Sequence, residues 1–316
     1  MKLCIEIPTW LGDAVMCTPA IENIVAQYPQ CRIILLGSYV STKLFLHHPN
    51  VEKIIVDESK REGLRYINLY QIAKEIGKVD IAISFRKNFS TRFLFFFIQA
   101  KEKYIYHKYD GEEVHQVIRY NQFINKSLHL TLKPEDLKVY LPKEGSIKAI
   151  KPTLGINPGA TYGSAKRWYP ESFAKVAMAL SKEYDIVLFG GPNEIDIAKD
   201  IEAILKKENI TNYTNLAGKT SVEALLESIS KLSLFITADS GPMHVAAAFK
   251  VPTVALFGPT KDKETSQWQN PKGVIVKKEM ECAPCMKRTC PLKHHECMKN
   301  ISAKDVLEAV ETLDLT

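Results

Sequence analysis

The stretch Leu234-Phe235-Ile236-Thr237-Ala238-Asp239-Ser240-Gly241-Pro242-Met243-His244 decides the fold, because it joins an apolar run to a helix start. A short apolar run is typical of a buried strand. Ser240 is a preferred helix cap, and Pro242 suits the first helical turn. The free N–H groups and the dipole of such a helix favour an anion, and Gly241 allows a ligand close to the backbone. The alternative is a plain strand-to-helix turn.

The same alternation of apolar runs and helical patterns extends outward in both directions. The predicted strands are residues 3–7, 32–36, 54–56, 81–85, 153–157, 186–189, 234–237 and 253–256. Strands separated by helices indicate βαβ units and parallel sheets. The sequence therefore predicts an α/β protein built from doubly wound parallel sheets.

The length of 316 residues suggests two domains. The stretch 142–152 reads as a linker, so we divide the chain into domains 1–147 and 148–316, with the last helix as an element that could pack back on the first domain. The formal charge is +6, from 42 basic and 36 acidic residues. Residues 1–150 carry +5 of it, which indicates an anionic partner for the first domain. The excess is too small to indicate a nucleic-acid binder.

Neither a signal peptide nor a membrane-spanning segment is apparent. Glu6 and Pro8 interrupt the apolar start, and the aromatic run 93–98 is much shorter than the ~20 residues that span a bilayer. We therefore expect a cytoplasmic or peripheral membrane protein. In a reducing compartment, cysteines are mostly thiols or metal ligands.

Four cysteines cluster near the end of the chain, at Cys282, Cys285, Cys290 and Cys297, together with two histidines. A C-x-x-C pair with nearby Cys and His is a signal for structural zinc, although the spacing here is irregular. Reduced thiols that pack a loop and a redox-sensitive disulfide are the two alternatives.

Ligands of doubly wound sheets bind beyond the carboxyl ends of the strands, which directs attention to the loops 8–18, 157–169, 190–196 and 237–244. Neither G-x-G-x-x-G after a strand nor a G-x-x-x-x-G-K-[ST] phosphate loop occurs. Lys166 and Arg167 could bind the same anion as the 240–244 helix start, or form a solvated basic turn.

Two acidic residues in these loops are candidates for polar chemistry. Glu194 could accept ribose hydroxyls, or could be a first-turn acid that the helix dipole favours. Asp13, directly after Gly12, could be a general base that activates a sugar hydroxyl. The alternative for Asp13 is a local bond at a turn or helix start.

Basic and aromatic residues alternate in residues 86–108. The cations Arg86, Lys87, Arg92, Lys101, Lys103 and Lys108 face a single acid, Glu102. One hypothesis is a surface patch for an anionic glycolipid and the membrane, where each basic residue contributes about 1 kcal/mol. The other hypothesis buries residues 93–98 in a helix and leaves the cations solvated.

Taken together, the motifs resemble glycosyltransferase family 9, the lipopolysaccharide heptosyltransferases of Gram-negative bacteria. The segments that carry the resemblance are 12–20, 157–160, 166–170, 189–191, 216–221, 239–248 and 257–260. The block 282–298 is similar to one found in type II members. The resemblance implies a GT-B fold, with two Rossmann-like domains facing a cleft, and no required cofactor.

The resemblance also implies an activity and a set of residue roles. It implies inverting transfer of L-glycero-D-manno-heptose from ADP-heptose to the inner-core heptose of heptosyl-Kdo-lipid A, at the cytoplasmic face of the inner membrane. Asp13 resembles the catalytic base and Lys166 the donor-diphosphate lysine. Glu194, with Asp196 as an alternative, resembles the ribose acid. The remaining counterparts are the sugar-side acid Asp239, the diphosphate cradle Ser240, Gly241, Pro242, Met243 and His244, and the cleft residues Thr9, Gly12 and Arg167.

Other functions remain open from the sequence alone. The chain could be a type I or III heptosyltransferase, or a family member that moves another sugar. A sugar-nucleotide epimerase of similar fold would need no lipid acceptor. A non-catalytic nucleotide-sugar-binding protein would have no need of Asp13, Lys166 and Asp239 together.

Overall fold

A computed structural model describes residues 1–61, 63–107, 113–142, 151–159 and 161–313. The chain divides into two compact units, residues 1–142 and 143–316. The boundary that we predicted, between residues 147 and 148, lies outside the described residues. Within the described ranges, no helix is both long enough and apolar enough to cross a bilayer.

The first unit is a five-stranded parallel sheet with helices packed on it. The strands are β1 (Lys2–Glu6), β2 (Arg32–Gly37), β3 (Val51–Val56), β4 (Lys78–Ser84) and β5 (Gln99–Ile105). The helices are α1 (Leu11–Met16), α2 (Thr18–Gln27), α3 (Tyr39–Thr42), α4 (Arg65–Ile76), α5 (Phe89–Phe97) and α6 (Gln116–Leu128). The strand order is β3-β2-β1-β4-β5, so the direction of winding reverses between β1 and β4.

The second unit is a six-stranded parallel sheet with the order β11-β10-β9-β6-β7-β8. Its strands are β6 (Thr153–Asn157), β7 (Asp185–Leu188), β8 (Tyr213–Asn215), β9 (Leu234–Ala238), β10 (Thr253–Leu256) and β11 (Gly273–Val276). Its helices are α7 (Pro170–Leu180), α8 (Ile195–Lys207), α9 (Val222–Ser230), α10 (Gly241–Ala248), α11 (Asp262–Thr265), α12 (Glu296–Lys299) and α13 (Ala303–Glu311). Here the winding reverses between β6 and β9.

The predicted α/β architecture of two doubly wound parallel sheets is confirmed, and the apolar runs form its strands. In the second sheet, Leu154, Ile156, Leu234 and Ile236 are fully buried because helices cover a parallel sheet. The apolar face of α13, which includes Val306 and Val310, lies in the core of the second unit. That the last helix also packs back on the first domain stays a prediction.

Candidate functional site

Polar side chains occupy the point of the second sheet where the winding reverses. Asn157 ends β6, and its amide nitrogen donates to the hydroxyl of Ser240, which follows β9, at 3.3 Å. The Ser240 hydroxyl also lies 3.0 Å from that of Thr237. Because ligands of such sheets bind at this position, these residues mark a candidate site.

An ion pair lies beside this polar cluster. The Lys166 Nζ atom is 2.6 Å from the Asp239 Oδ2 atom, and both side chains are largely buried. Thr260 donates its hydroxyl to the same carboxylate oxygen at 2.6 Å. The structure therefore brings together Lys166 and Asp239, two residues selected from separate loops.

The first turn of α10 presents its backbone to this cluster. Ser240 precedes the helix, but its side chain does not cap it. The capping role expected for Ser240 is wrong, because its hydroxyl is engaged with Asn157 and Thr237. Gly241 and Pro242 are half-buried, whereas the side chains of Met243 and His244 are buried. A ligand at this end would therefore meet the backbone of the first turn, whose N–H groups favour an anion.

Glu194 lies at the start of α8, 5 % exposed. Its Oε2 atom accepts the backbone N–H of Gly191 at 2.6 Å, which is the local helix-start role considered as an alternative. Gly159 packs directly on it: a Cβ there would lie 2.3 Å from the Glu194 carboxyl carbon. The loops 157–159 and 190–194 thus meet without space for another side chain.

Arg167 does not join Lys166 in its ion pair. Its Nη2 atom donates to the carbonyl of Asn193 at 3.1 Å, so the side chain supports the loop that carries Glu194. That both cations of this loop bind one anion stays a prediction.

Asp13, the candidate base, lies in the first turn of α1 and is half-buried. Its negative charge would be favoured by the helix dipole. Burial of the Cys17 thiol raises its pKa well above the usual range, and the negative charge of Asp13 raises this pKa further. Gly12 is buried beside Asp13, and Thr9 is exposed just before the helix.

Arg86 does not belong to an exposed patch, which corrects the prediction from sequence. Its Nη1 atom lies 3.1 Å from Glu6 and 3.4 Å from Asp57, and its side chain is only 10 % exposed. Its Nη2 atom donates to the Thr9 hydroxyl at 2.7 Å. Arg86 therefore ties the ends of β1 and β3 to the loop that leads into the Asp13 helix.

Some of the other residues in the stretch 86–108 fit the hypothesis of a surface patch, and others fit the hypothesis of a buried helix with solvated cations. Lys87 and Arg92 are exposed. Lys101 pairs with Asp80, and Lys103 donates to the carbonyl of Phe95 near the end of α5. Residues 93–97 are helical, with Leu94 and Phe95 buried but Phe96 78 % exposed. Lys108 lies outside the described residues.

The segment 280–297, called here the Cys-rich segment, holds four free thiols: Cys282, Cys285, Cys290 and Cys297. Among the described residues, no three His, Cys, Asp or Glu side chains form a group that could hold a metal ion. The four cysteines therefore do not lie in such a group among the described residues, and structural zinc stays a prediction. Burial, followed by the charges of the other three thiols, raises the pKa of Cys297.

The Cys-rich segment packs on the loop that carries Lys166. The backbone N–H of Ala165 donates to the carbonyl of Arg288 at 3.0 Å. The hydroxyl of Tyr162 donates to the carbonyl of Met286 at 2.7 Å. His295 Nε2 lies 2.8 Å from the Ala165 carbonyl, so this nitrogen must carry the proton.

Three residues of the site were not selected from the sequence: Asn157, Tyr162 and Thr260. Asn157 is the last residue of β6 and Thr260 follows β10, and both lie in segments that carry the family resemblance, so their positions at strand ends were an available signal. Tyr162 places its ring 4.6 Å from the Lys166 Nζ atom, and no spacing rule predicts such a contact.

Comparison with known proteins identifies the family. The model of glycosyltransferase family 9 (heptosyltransferase) matches residues 105–296. The chain belongs to glycosyltransferase family 9. It is therefore a glycosyltransferase.

A similar relative is lipooligosaccharide heptosyltransferase 2 of Campylobacter jejuni, 43 % identical over 99 % of this chain and 98 % of the relative. Among solved structures, Escherichia coli ADP-heptose lps heptosyltransferase II matches with a TM-score of 0.81 and 23 % identity over 98 % of each chain. A family 9 glycosyltransferase from Veillonella parvula matches with a TM-score of 0.82 and 24 % identity, over 98 % of this chain and 96 % of that one. These matches confirm the expected GT-B fold class.

Proposed function

We propose that this family 9 enzyme moves L-glycero-D-manno-heptose from ADP-heptose to the inner-core heptose of heptosyl-Kdo-lipid A, with inversion at the anomeric carbon. The main support is the Lys166–Asp239 pair beside the open first turn of α10, in a chain 43 % identical to a lipooligosaccharide heptosyltransferase 2. The name of that relative supports a type II acceptor over the type I and III alternatives.

The donor diphosphate binds at the first turn of α10, through the backbone of residues 240–244. Lys166 and the helix dipole stabilise the negative charge that develops on the departing ADP, which is where fixed charges lower a barrier most. Glu194 keeps one oxygen on Gly191 and accepts a ribose hydroxyl with the other. Asp239 holds Lys166 in place next to the transferred sugar.

Asp13 supplies the base for the acceptor. It takes the proton of the attacking sugar hydroxyl as the new glycosidic bond forms. Arg86 fixes Thr9, and thereby the entry to the Asp13 helix. No step in this scheme requires a metal ion.

The test is incubation with ADP-heptose, with and without heptosyl-Kdo₂-lipid A, followed by measurement of ADP and sugar. We expect ADP release only with the acceptor, and a product heavier by one heptose. Transfer to Kdo₂-lipid A lacking heptose would instead assign a type I enzyme. An epimerised sugar without acceptor would indicate an epimerase, and binding without product would indicate a non-catalytic protein.

The acceptor proposed here is a lipid, and the enzyme acts as a peripheral protein at the cytoplasmic face of the inner membrane. The support is a continuous aromatic surface on α4 and α5. Tyr66 contacts Phe89 and Phe93 at ring-centroid distances of 6.1 and 4.8 Å, and Tyr70 contacts Phe97 at 5.0 Å. Its exposed aromatic members are Tyr66, Tyr70, Phe89 and Phe96, and the aliphatic side chains of Leu64 and Ile67 are exposed near Tyr66 in the sequence.

The charges around this aromatic surface favour an anionic bilayer over an acidic or neutral protein partner. Lys87 and Arg92 are exposed beside Phe89 and Phe96 in the sequence, and α5 contains no acidic residue. Aromatic rings insert at the headgroup level, and nearby cations are attracted to anionic lipids.

Co-sedimentation with phosphatidylglycerol–phosphatidylcholine vesicles tests this surface. We expect replacement of Phe89 and Phe96 by Ser to reduce vesicle binding strongly, while Leu292→Ser, an exposed apolar residue of the second unit, leaves it unchanged. Turnover on a deacylated acceptor should be the same in all variants. Equal vesicle binding by the Phe variants, or loss of a dimer in place of vesicle binding, would contradict the membrane role.

A further inference from the structure

The Lys166–Asp239 pair leaves a charge deficit at the proposed donor site. The lysine charge is matched by the carboxylate 2.6 Å away, so the pair is neutral. The dipole of α10 contributes about half an elementary charge. A nucleoside diphosphate sugar carries two negative charges, so a strong diphosphate site needs a further cation.

Arg288 of the Cys-rich segment is a candidate for this further cation. Its guanidinium is 5.5 Å from the centroid of the Tyr162 ring, and the Lys166 Nζ atom is 4.6 Å from the same centroid. The two cations are therefore held against one aromatic ring. Within the described part of the chain, no acidic side chain forms a salt bridge with Arg288, and the residue is exposed.

The backbone of Arg288 is fixed to the donor loop independently of its side chain. Its carbonyl accepts the N–H of Ala165, the residue before Lys166. Gly163 lies so close that a Cβ there would be 2.3 Å from the same carbonyl oxygen. The loop that carries Lys166 and the segment that carries Arg288 thus form one packed unit, and substitution of the Arg288 side chain leaves this attachment intact.

We propose that Arg288 is a donor-binding residue that contacts the diphosphate of the nucleotide sugar, with Tyr162 holding it beside Lys166. The proposal rests on the proposed function. A guanidinium suits this task because its planar fork binds phosphate oxygens in pairs. Arg288 is free to reorient toward a ligand because its contact in the described structure is with a ring face and not with a carboxylate.

Calorimetric titration with ADP and with adenosine tests the proposal on the full chain. We expect Arg288→Ala to weaken ADP binding by about tenfold or more and to leave adenosine binding unchanged, since only the phosphate contact is lost. Arg288→Lys should restore part of the ADP affinity. The matched control is Lys287→Ala, which removes the same charge from the neighbouring exposed position.

The outcomes separate this proposal from the proposed function. Unchanged ADP affinity in Arg288→Ala, in a protein whose wild type turns over ADP-heptose, overturns the role of Arg288 alone. Equal losses of ADP and adenosine affinity, or an equal loss in Lys287→Ala, overturn it in favour of a structural or a nonspecific charge effect. A wild type that binds ADP no better than adenosine overturns both proposals.

Discussion

The two sheets reverse their winding at equivalent points, but the charged side chains at those points are paired differently. In the first unit, Arg86 is held by the two carboxylates of Glu6 and Asp57, and Glu6 also accepts the hydroxyl of Ser84 at 2.5 Å. In the second unit, Lys166 forms an ion pair with one carboxylate of the described residues, that of Asp239, beside a helix start without a side-chain cap.

The comparison shows how one topology serves two purposes. The first network carries one cation and two anions, so it repels a further anion and holds the strand ends together. The second is neutral and borders backbone N–H groups, so it does not repel an anion, as the proposed donor site requires. Topology selects the position of a site, and the charge balance at that position decides whether a nucleotide binds there.

The largest effect is expected for a variant of Asp13, which distinguishes catalysis by the first unit from donor binding by the second. Asp13→Ala should lower kcat by about 10²–10⁴-fold, the usual contribution of a general base, and leave the affinity for ADP unchanged. Steady-state kinetics with saturating acceptor, together with ADP titration, measure both quantities. Normal turnover in this variant would remove Asp13 from the role of base.

Arg86→Met tests whether the first network is structural. The substitution leaves the buried Glu6 and the half-buried Asp57 without their cation, so the free energy of unfolding should fall by about 3–5 kcal/mol. Urea unfolding measures it, and Arg92→Met is the matched control, because Arg92 is exposed on α5. Equal stability of the two variants would show that the buried network contributes little.

A smaller effect is expected at the Glu194 end of the second site. Gly159→Ala forces Glu194 to move, because the new Cβ would lie 2.3 Å from its carboxyl carbon. Overpacking of this kind costs about 1–3 kcal/mol, so the KM for ADP-heptose should rise about tenfold. In Gly191→Ala the nearest Glu194 atom would be 3.5 Å from the Cβ, and we expect almost no change. A similar KM in both alanine variants would argue against a donor contact by Glu194.

The sequence predicts the parts of the molecule that depend on local patterns. Apolar runs located eight of the eleven strands of the described residues, whereas β5, β8 and β11 were not predicted. The rule that ligands bind at strand ends led to Lys166 and Asp239. Helix α1 was assigned to a loop, because it has only six residues, contains Gly12 and follows Trp10, whose side chain does not cap it.

The contacts that the sequence could not predict join residues far apart in the chain. Arg86 looks like one cation of a basic run, and only folding brings it to Glu6, 80 positions earlier. Similarly, nothing local to Arg288 indicates the ring of Tyr162, which lies in a different loop. Long-range pairing decides whether a cation is structural, ligand-binding or exposed.

A crystal structure of the chain with ADP bound tests the central claim most directly. The account predicts that the diphosphate lies within hydrogen-bond distance of the backbone N–H groups of the first turn of α10 and of the Lys166 Nζ atom, with the ribose at Glu194. A diphosphate bound at the carboxyl end of the first sheet, against Arg86, would contradict it.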